Sequence, residues 1–444
     1  QVMLDPADCG PATISLSQDV QGEAFDYPEI FFEEKIHIIR RIHPDPRQLN
    51  EAAEKLKLSK QPIIIAGGGI LYSEAEKELS DFAKKHNIPV TPTVMGIGCM
   101  TKDDPYYIGA IGCLGEGSSN SLSKDTDLAL AIGTKLGDFT TGSWSNFQNE
   151  DFKLVSINTA RFDVTKHLAT PVISDAKIGL LELSKALGDW RAPNNWYERS
   201  IDERKKWDSY VEKQSGPTNQ ELPSYAHAVG AVYRNADPSD IVVTAAGGLV
   251  GEVVQIWKPK ELNTFETEWG FSCMGYEISG ALGIKMAKPD QDVIVFVGDG
   301  SYLLHNSDIY SSVLYDKKLI IVVCDNGGHM VINRLQLAKG GKEYLCNLKE
   351  ARATNLQFVD FEAHAKSMGA NGETVTSTSE LEAAFKRAKK SEKTYVISIK
   401  THGYEWLDGT AFWESPTLEV HSTAENKQAY EEFLAGKKDQ RKGV

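Results

Sequence analysis

Apolar residues in this chain gather into short continuous runs, not into the alternating pattern of a half-exposed sheet. Pro62–Ala66, 89–93, Leu128–Ile132 and 154–157 form one set. Ile241–Thr244, 293–297, 319–324, Asn371–Val375 and 394–399 form a second. Runs of this kind, bounded by glycine, proline or charge, predict strands covered on both faces, as in a parallel sheet. Stretches with helical spacing lie between them. Residues 47–59 place Leu49, Ala52, Ala53, Leu56 and Leu58 near one face, and 74–86, 177–187, 222–234, 274–287, 301–315, 358–368 and 379–390 read the same way. Strand–helix alternation predicts an α/β protein with two doubly wound parallel-sheet domains, over 47–188 and 218–402.

The remaining segments read differently. Residues 189–217 resemble a polar linker, with Trp190, Pro193, Trp196, Trp207 and a Ser215-Gly216-Pro217 break. Their charged run 198–206 predicts a solvated helix. Residues 1–46 offer one strand, 12–16, and then an exit segment from Gln21. One strand makes no sheet, so this piece is either an arm docked on its own domain or the remnant of a third domain. The tail 403–444 opens with Tyr404, Trp406, Phe412 and Trp413, suited to a lid, an interface plug or a core cap, and closes on a charged helix, 425–437.

Composition narrows the partners. The 444 residues are 41% hydrophobic and carry 62 acidic against 48 basic side chains, a net charge of −14, which disfavours nucleic acid and anionic membrane surfaces. No apolar run approaches the ~20 residues of a membrane span. Six cysteines without a CxxC pair suit a reduced, cytoplasmic protein.

The chemistry concentrates between residues 293 and 326. A strand ends at Gly298-Asp299-Gly300, a helix follows, and a second strand ends at Asp325-Asn326-Gly327-Gly328. Ligands of open α/β sheets sit beyond the carboxyl ends of the strands, so Asp299 and Asn326 converge if the two strands are neighbours. Both offer hard oxygen ligands, which suits Mg²⁺ shared with phosphate and not zinc. Gly300 and Ser301 open the following helix, where backbone N–H groups favour an anion. The pair reads as a metal–diphosphate site.

GDG followed 27 positions after its Asp by an Asn resembles the signature of the thiamine-diphosphate (ThDP) enzymes. The resemblance implies Mg²⁺ held by Asp299, Asn326 and the carbonyl of Gly328. Upstream, Trp269-Gly-Phe-Ser-Cys-Met-Gly-Tyr-Glu resembles the family's aminopyrimidine segment. It implies a carbonyl acceptor at Ser272 and, at Met274, the apolar wedge that bends the cofactor. Thr244-Ala-Ala-Gly-Gly-Leu resembles the diphosphate loop, implying contacts from Gly247, Gly248 and Leu249.

Within the family, residues 268–309 and the segment 5–37 resemble a subgroup of ring-opening hydrolases acting on a small polyol 1,2-diketone in inositol breakdown. An acetolactate-synthase-like or decarboxylating enzyme, or a non-catalytic ThDP-binding subunit, are the alternatives. The resemblance also implies a homodimer or homotetramer and an activating Glu on an N-terminal domain of which 1–46 would be the end. Little turnover is then expected from this chain alone. Gly67, Gly68 and Gly69 follow a strand but do not form GxGxxG, so a central nucleotide site stays open as a reading. His329 departs from the subgroup's loop and is a candidate acid or base. Lys135, Asp138 and Arg161 lie at strand ends, facing either the site or solvent, and His305, five residues after the GDG turn, faces either helix packing or the site.

Overall fold

A computed structural model describes residues 1–407, 409 and 411–442. It contains two sheets, every strand pair parallel. The first comprises β1 (Pro62–Ala66), β2 (Val90–Pro92), β3 (Leu128–Ile132), β4 (Lys153–Asn158) and β5 (Thr170–Ile173), in the order β2-β1-β3-β4-β5. The second comprises β6 (Ile241–Thr244), β7 (Phe265–Thr267), β8 (Val293–Gly298), β9 (Ile320–Asp325), β10 (Asn371–Val375) and β11 (Tyr395–Lys400), in the order β10-β11-β9-β8-β6-β7. The doubly wound, parallel α/β architecture expected from the apolar runs is present. Ile63, Ile64, Ile65, Val295, Phe296, Val297, Ile321 and Val322 are wholly buried, as strands covered on both faces require.

The first sheet reverses direction once and the second twice, the later reversal where β11 returns to lie between β10 and β9. In the first, β2 and β3 flank β1, and the crevice between the ends of β1 and β3 is closed by backbone. A Cβ on Gly67 would stand 2.3 Å from the Gly133 carbonyl oxygen, and one on Gly69 would stand 2.5 Å from the Gly133 Cα. The glycine run thus has a packing role, letting the two loops touch. In the second sheet the chain leaves β6 for β7 and returns on the other side to β8. The crevice therefore opens at the carboxyl ends of β6 and β8, beside β9.

Three expectations are corrected. Residues 12–16 form no strand; the first 45 residues contain only the short 3₁₀ turns Val2–Leu4, Val20–Gly22 and Glu29–Phe31. A strand needs a neighbour to satisfy its N–H and C=O groups, and no sheet edge is offered to this segment. The stretch 301–315 is not one helix but two, Asp299–Leu304 and Ser307–Leu314. The Asn306 amide donates to the Tyr302 carbonyl at 3.2 Å, a side-chain bond that competes with helix continuation.

The supposed linker is largely a helix, Asn194–Ser215, and it is not merely solvated. Trp196 enters the core of the first sheet and donates its indole N–H to the Pro62 carbonyl at 2.8 Å. Trp207 and Val211 enter the core of the second. Arg204, between them, donates to the carbonyls of Tyr107 at 2.7 Å and Asp104 at 3.1 Å.

Candidate functional site

Sheet register brings the two polar strand ends together. Gly298 of β8 pairs with Cys324 of β9, so Asp299 and Asn326 leave neighbouring strands at nearly the same level. Asp299 is buried, at 4% exposure. The Asn326 amide oxygen stands 3.0 Å from the Gly328 carbonyl oxygen and 3.3 Å from Asp299 Oδ1. Its nitrogen donates to the buried Tyr225 hydroxyl at 2.7 Å. With the amide turned this way, its oxygen faces both the Gly328 carbonyl and the Asp299 carboxylate. Oxygens at right angles on an octahedral Mg²⁺, each about 2.1 Å from the metal, lie about 3 Å apart. The corner therefore fits a small hard cation. Turned over, the amide would instead donate to Gly328 and Asp299 while accepting from Tyr225, an arrangement suited to a corner without a cation.

Electrostatics point the same way. Burial, then the nearby Asp325 carboxylate, push the Asp299 carboxyl up to about 7. Among the described residues no group of three His, Cys, Asp or Glu could hold a metal unaided. A cation here would share its shell with oxygens of a ligand, as Mg²⁺ does with phosphates. Gly328 is a position in this corner that only glycine fits. Its φ is +143°, and a Cβ would stand 2.2 Å from the Cys346 carbonyl oxygen.

The remaining candidates ring this corner. Gly247 is exposed, with φ +79°, and Gly248 lies beneath Trp406 of the tail. Leu249 is buried, so only its backbone can face a ligand. The buried Thr244 hydroxyl, at the end of β6, has no protein partner. Ser272 holds a left-handed φ of +53°, costly for a serine, because Glu268 clamps the loop. The Glu268 carboxylate accepts from the Phe271 N–H at 2.7 Å and the Cys273 N–H at 2.6 Å.

Met274 is partly exposed and reaches toward Gly300, against which the His329 ring also lies; a Cβ on Gly300 would stand 2.7 Å from that ring. Ser301 is buried. His329, Met274 and Gly300 therefore share one wall. His305 packs on Gly275 and stands 3.4 Å from Asp308. Lys135, Asp138 and Arg161 are exposed, and none has a recorded bond into this corner. Their neighbour Phe139 packs edge-on to Trp269 and tilted against Trp413, at 5.5 and 5.0 Å between ring centroids.

Several contributors were not legible in the sequence. Tyr225 supports Asn326 from 101 positions away. Trp406 packs edge-on to Tyr225 at 5.5 Å and takes Arg334 on its face at 5.3 Å. Glu277 was visible only as the last letter of the aminopyrimidine segment. An ionisable residue among apolar neighbours was the available signal.

A switch-point crevice with a corner that fits a hard cation, a glycine loop and an apolar wall is an arrangement suited to a phosphorylated organic cofactor. The chain belongs to the thiamine pyrophosphate enzymes. Residues 49–183 match the family's central domain and residues 245–399 its C-terminal TPP binding domain. Among similar proteins is the 3D-(3,5/4)-trihydroxycyclohexane-1,2-dione hydrolase of Bacillus anthracis, 35% identical over 97% of this chain and 72% of the relative. The protein of the same name from Halalkalibacterium halodurans is 34% identical over 97% of this chain and 71% of the relative. No helix among the described residues is long and apolar enough to cross a membrane.

Proposed function

We propose that this chain takes part in the ThDP- and Mg²⁺-dependent hydrolytic ring opening of 3D-trihydroxycyclohexane-1,2-dione to 5-deoxyglucuronate, a step of inositol catabolism in the cytoplasm. One observation carries the reading: the similarity to the dione hydrolases runs through 97% of the chain, far beyond the two family regions. The test, which also supplies the assay for the variants below, is turnover with ThDP, Mg²⁺ and the dione in the presence and absence of a supplied N-terminal domain, with pyruvate as the competing substrate. Product from pyruvate and none from the dione would favour the synthase or decarboxylase reading.

In this proposal Asp299, Asn326 and the Gly328 carbonyl hold Mg²⁺. The backbone of Gly247, Gly248, Leu249, Gly300 and Ser301 receives the diphosphate, and Ser272 and Met274 receive the aminopyrimidine. Bound ThDP supplies a nucleophilic carbon that adds to a carbonyl and stores the electron pair of a broken C–C bond. His329, on the wall shared with Met274, would move a proton at the substrate. His329→Gln is expected to lower kcat roughly 100-fold while ThDP affinity changes little; a matching loss of affinity would refute the assignment. Exposed Leu303, Leu304, Tyr310 and Leu314 on the helices after β8 support assembly into a homodimer or homotetramer.

Proton and metal compete for Asp299. With its carboxyl raised to about 7, its contribution to metal-free stability is complete below the unfolded value of 3.8 and is lost as pH rises through about 7. Mg²⁺ needs the ionised form. The rise in melting temperature on adding Mg²⁺ and ThDP is therefore expected to be larger at pH 8 than at pH 6. An equal rise at both would contradict this.

A further inference from the structure

Glu277 is 1% exposed and sits in the first turn of the helix Tyr276–Ala287. One carboxylate oxygen accepts from the Ala246 N–H at 3.2 Å, the other from the Gly275 N–H at 2.8 Å, and the Ser301 hydroxyl is a third partner. Each donor belongs to a different segment around the crevice. Ala246 precedes Gly247 and Gly248, Gly275 follows Met274, and Ser301 follows Gly300. A buried carboxylate is expensive unless such donors surround it, and here the donors are the loops themselves.

From this geometry we infer that Glu277 is a positioning residue that sets the distance and angle between the diphosphate-binding loops and the aminopyrimidine segment, so that both halves of one bent cofactor are gripped together. This rests on the ThDP reading of the site. Its chemistry is specific to an acceptor with two oxygens. A glutamine of the same shape offers one oxygen and one NH₂, and the NH₂ would face a backbone N–H. With its oxygen kept on the Ala246 N–H and its NH₂ turned to the Gly275 N–H, the aminopyrimidine segment is the one released. The diphosphate half can still bind through its own loops, but the ring half no longer arrives in register.

The experiment compares two probes on the full chain, ThDP with Mg²⁺ and inorganic pyrophosphate with Mg²⁺, by calorimetry. The unsubstituted chain should bind ThDP more tightly than pyrophosphate, the surplus coming from the ring half. In Glu277→Gln that surplus should shrink about tenfold, roughly the worth of one charged hydrogen bond, while pyrophosphate affinity falls much less. Glu277→Asp keeps the charge but is too short to reach all three donors, so it should show a smaller loss; it also serves if the glutamine variant does not fold. A surplus unchanged in the variants, or both affinities falling equally, would overturn the positioning role alone. An unsubstituted chain that gains nothing from ThDP over pyrophosphate would overturn the cofactor reading, and this inference with it.

Discussion

Replacing Asp299 by alanine is expected to abolish Mg²⁺-dependent binding of ThDP. Asn326 and the Gly328 carbonyl would remain, but both are neutral, and the corner would lose the carboxylate that faces them. Losing a directly coordinating carboxylate should exceed the 10–100-fold typical of a supporting group, so a loss of more than about 100-fold is expected in calorimetry. Melting experiments give an independent reading. Ligand at about 100 times its Kd stabilises the native state by about 2.7 kcal/mol, and the variant should gain none of this. Without metal the sign reverses. Burial and Asp325 oppose ionisation of Asp299, so at pH 8 the metal-free variant should be as stable as the unsubstituted chain or more so. Retained metal-dependent binding in Asp299→Ala would disprove the corner as the cation site.

Truncating Phe296 to alanine is the second large effect, and it acts on the fold. Phe296 lies in β8 between β6 and β9, has no exposed surface, and meets Trp257 edge-on at 6.0 Å. Removing a buried aromatic leaves a cavity that a strand flanked on both sides closes poorly, so a loss of about 3–5 kcal/mol is expected in denaturant unfolding. The same strand ends at Asp299, so ThDP affinity should fall before global unfolding is reached. A loss below about 1 kcal/mol would mean the core repacks around the gap.

Phe296 also shows why much of the fold was legible. Strands buried on both faces must be written in continuous apolar residues, and β1, β3, β8 and β9 were read within about a residue of their observed ends. β5 and β7 were not, because Thr170–Ile173 contains a proline and Phe265–Thr267 is three residues with a central glutamate. Such short edge strands exist only because a neighbour is already in place. The site divides similarly. Asp299 and Asn326 were legible because consecutive neighbouring strands end on them. Glu277 was not, because an acid in a first helical turn is ordinarily explained by the helix dipole. One partner, Gly275, is two residues away, but Ala246 and Ser301 come from segments distant in sequence, and only the closed crevice brings those in.

The helix Asn194–Ser215 has a consequence for how the chain can be taken apart. Trp196 belongs to one core and Trp207 to the other, so the segment is owned by both halves. A cut between them leaves each core its own tryptophan but severs the helix that joins the two, and a cut outside them strips one core of its tryptophan and leaves the other fragment a long amphipathic helix with half its apolar face bare. The stretch that looks most like a seam in the sequence is thus a poor place for protease nicking, for domain shuffling, or for a swivel between the two sheets.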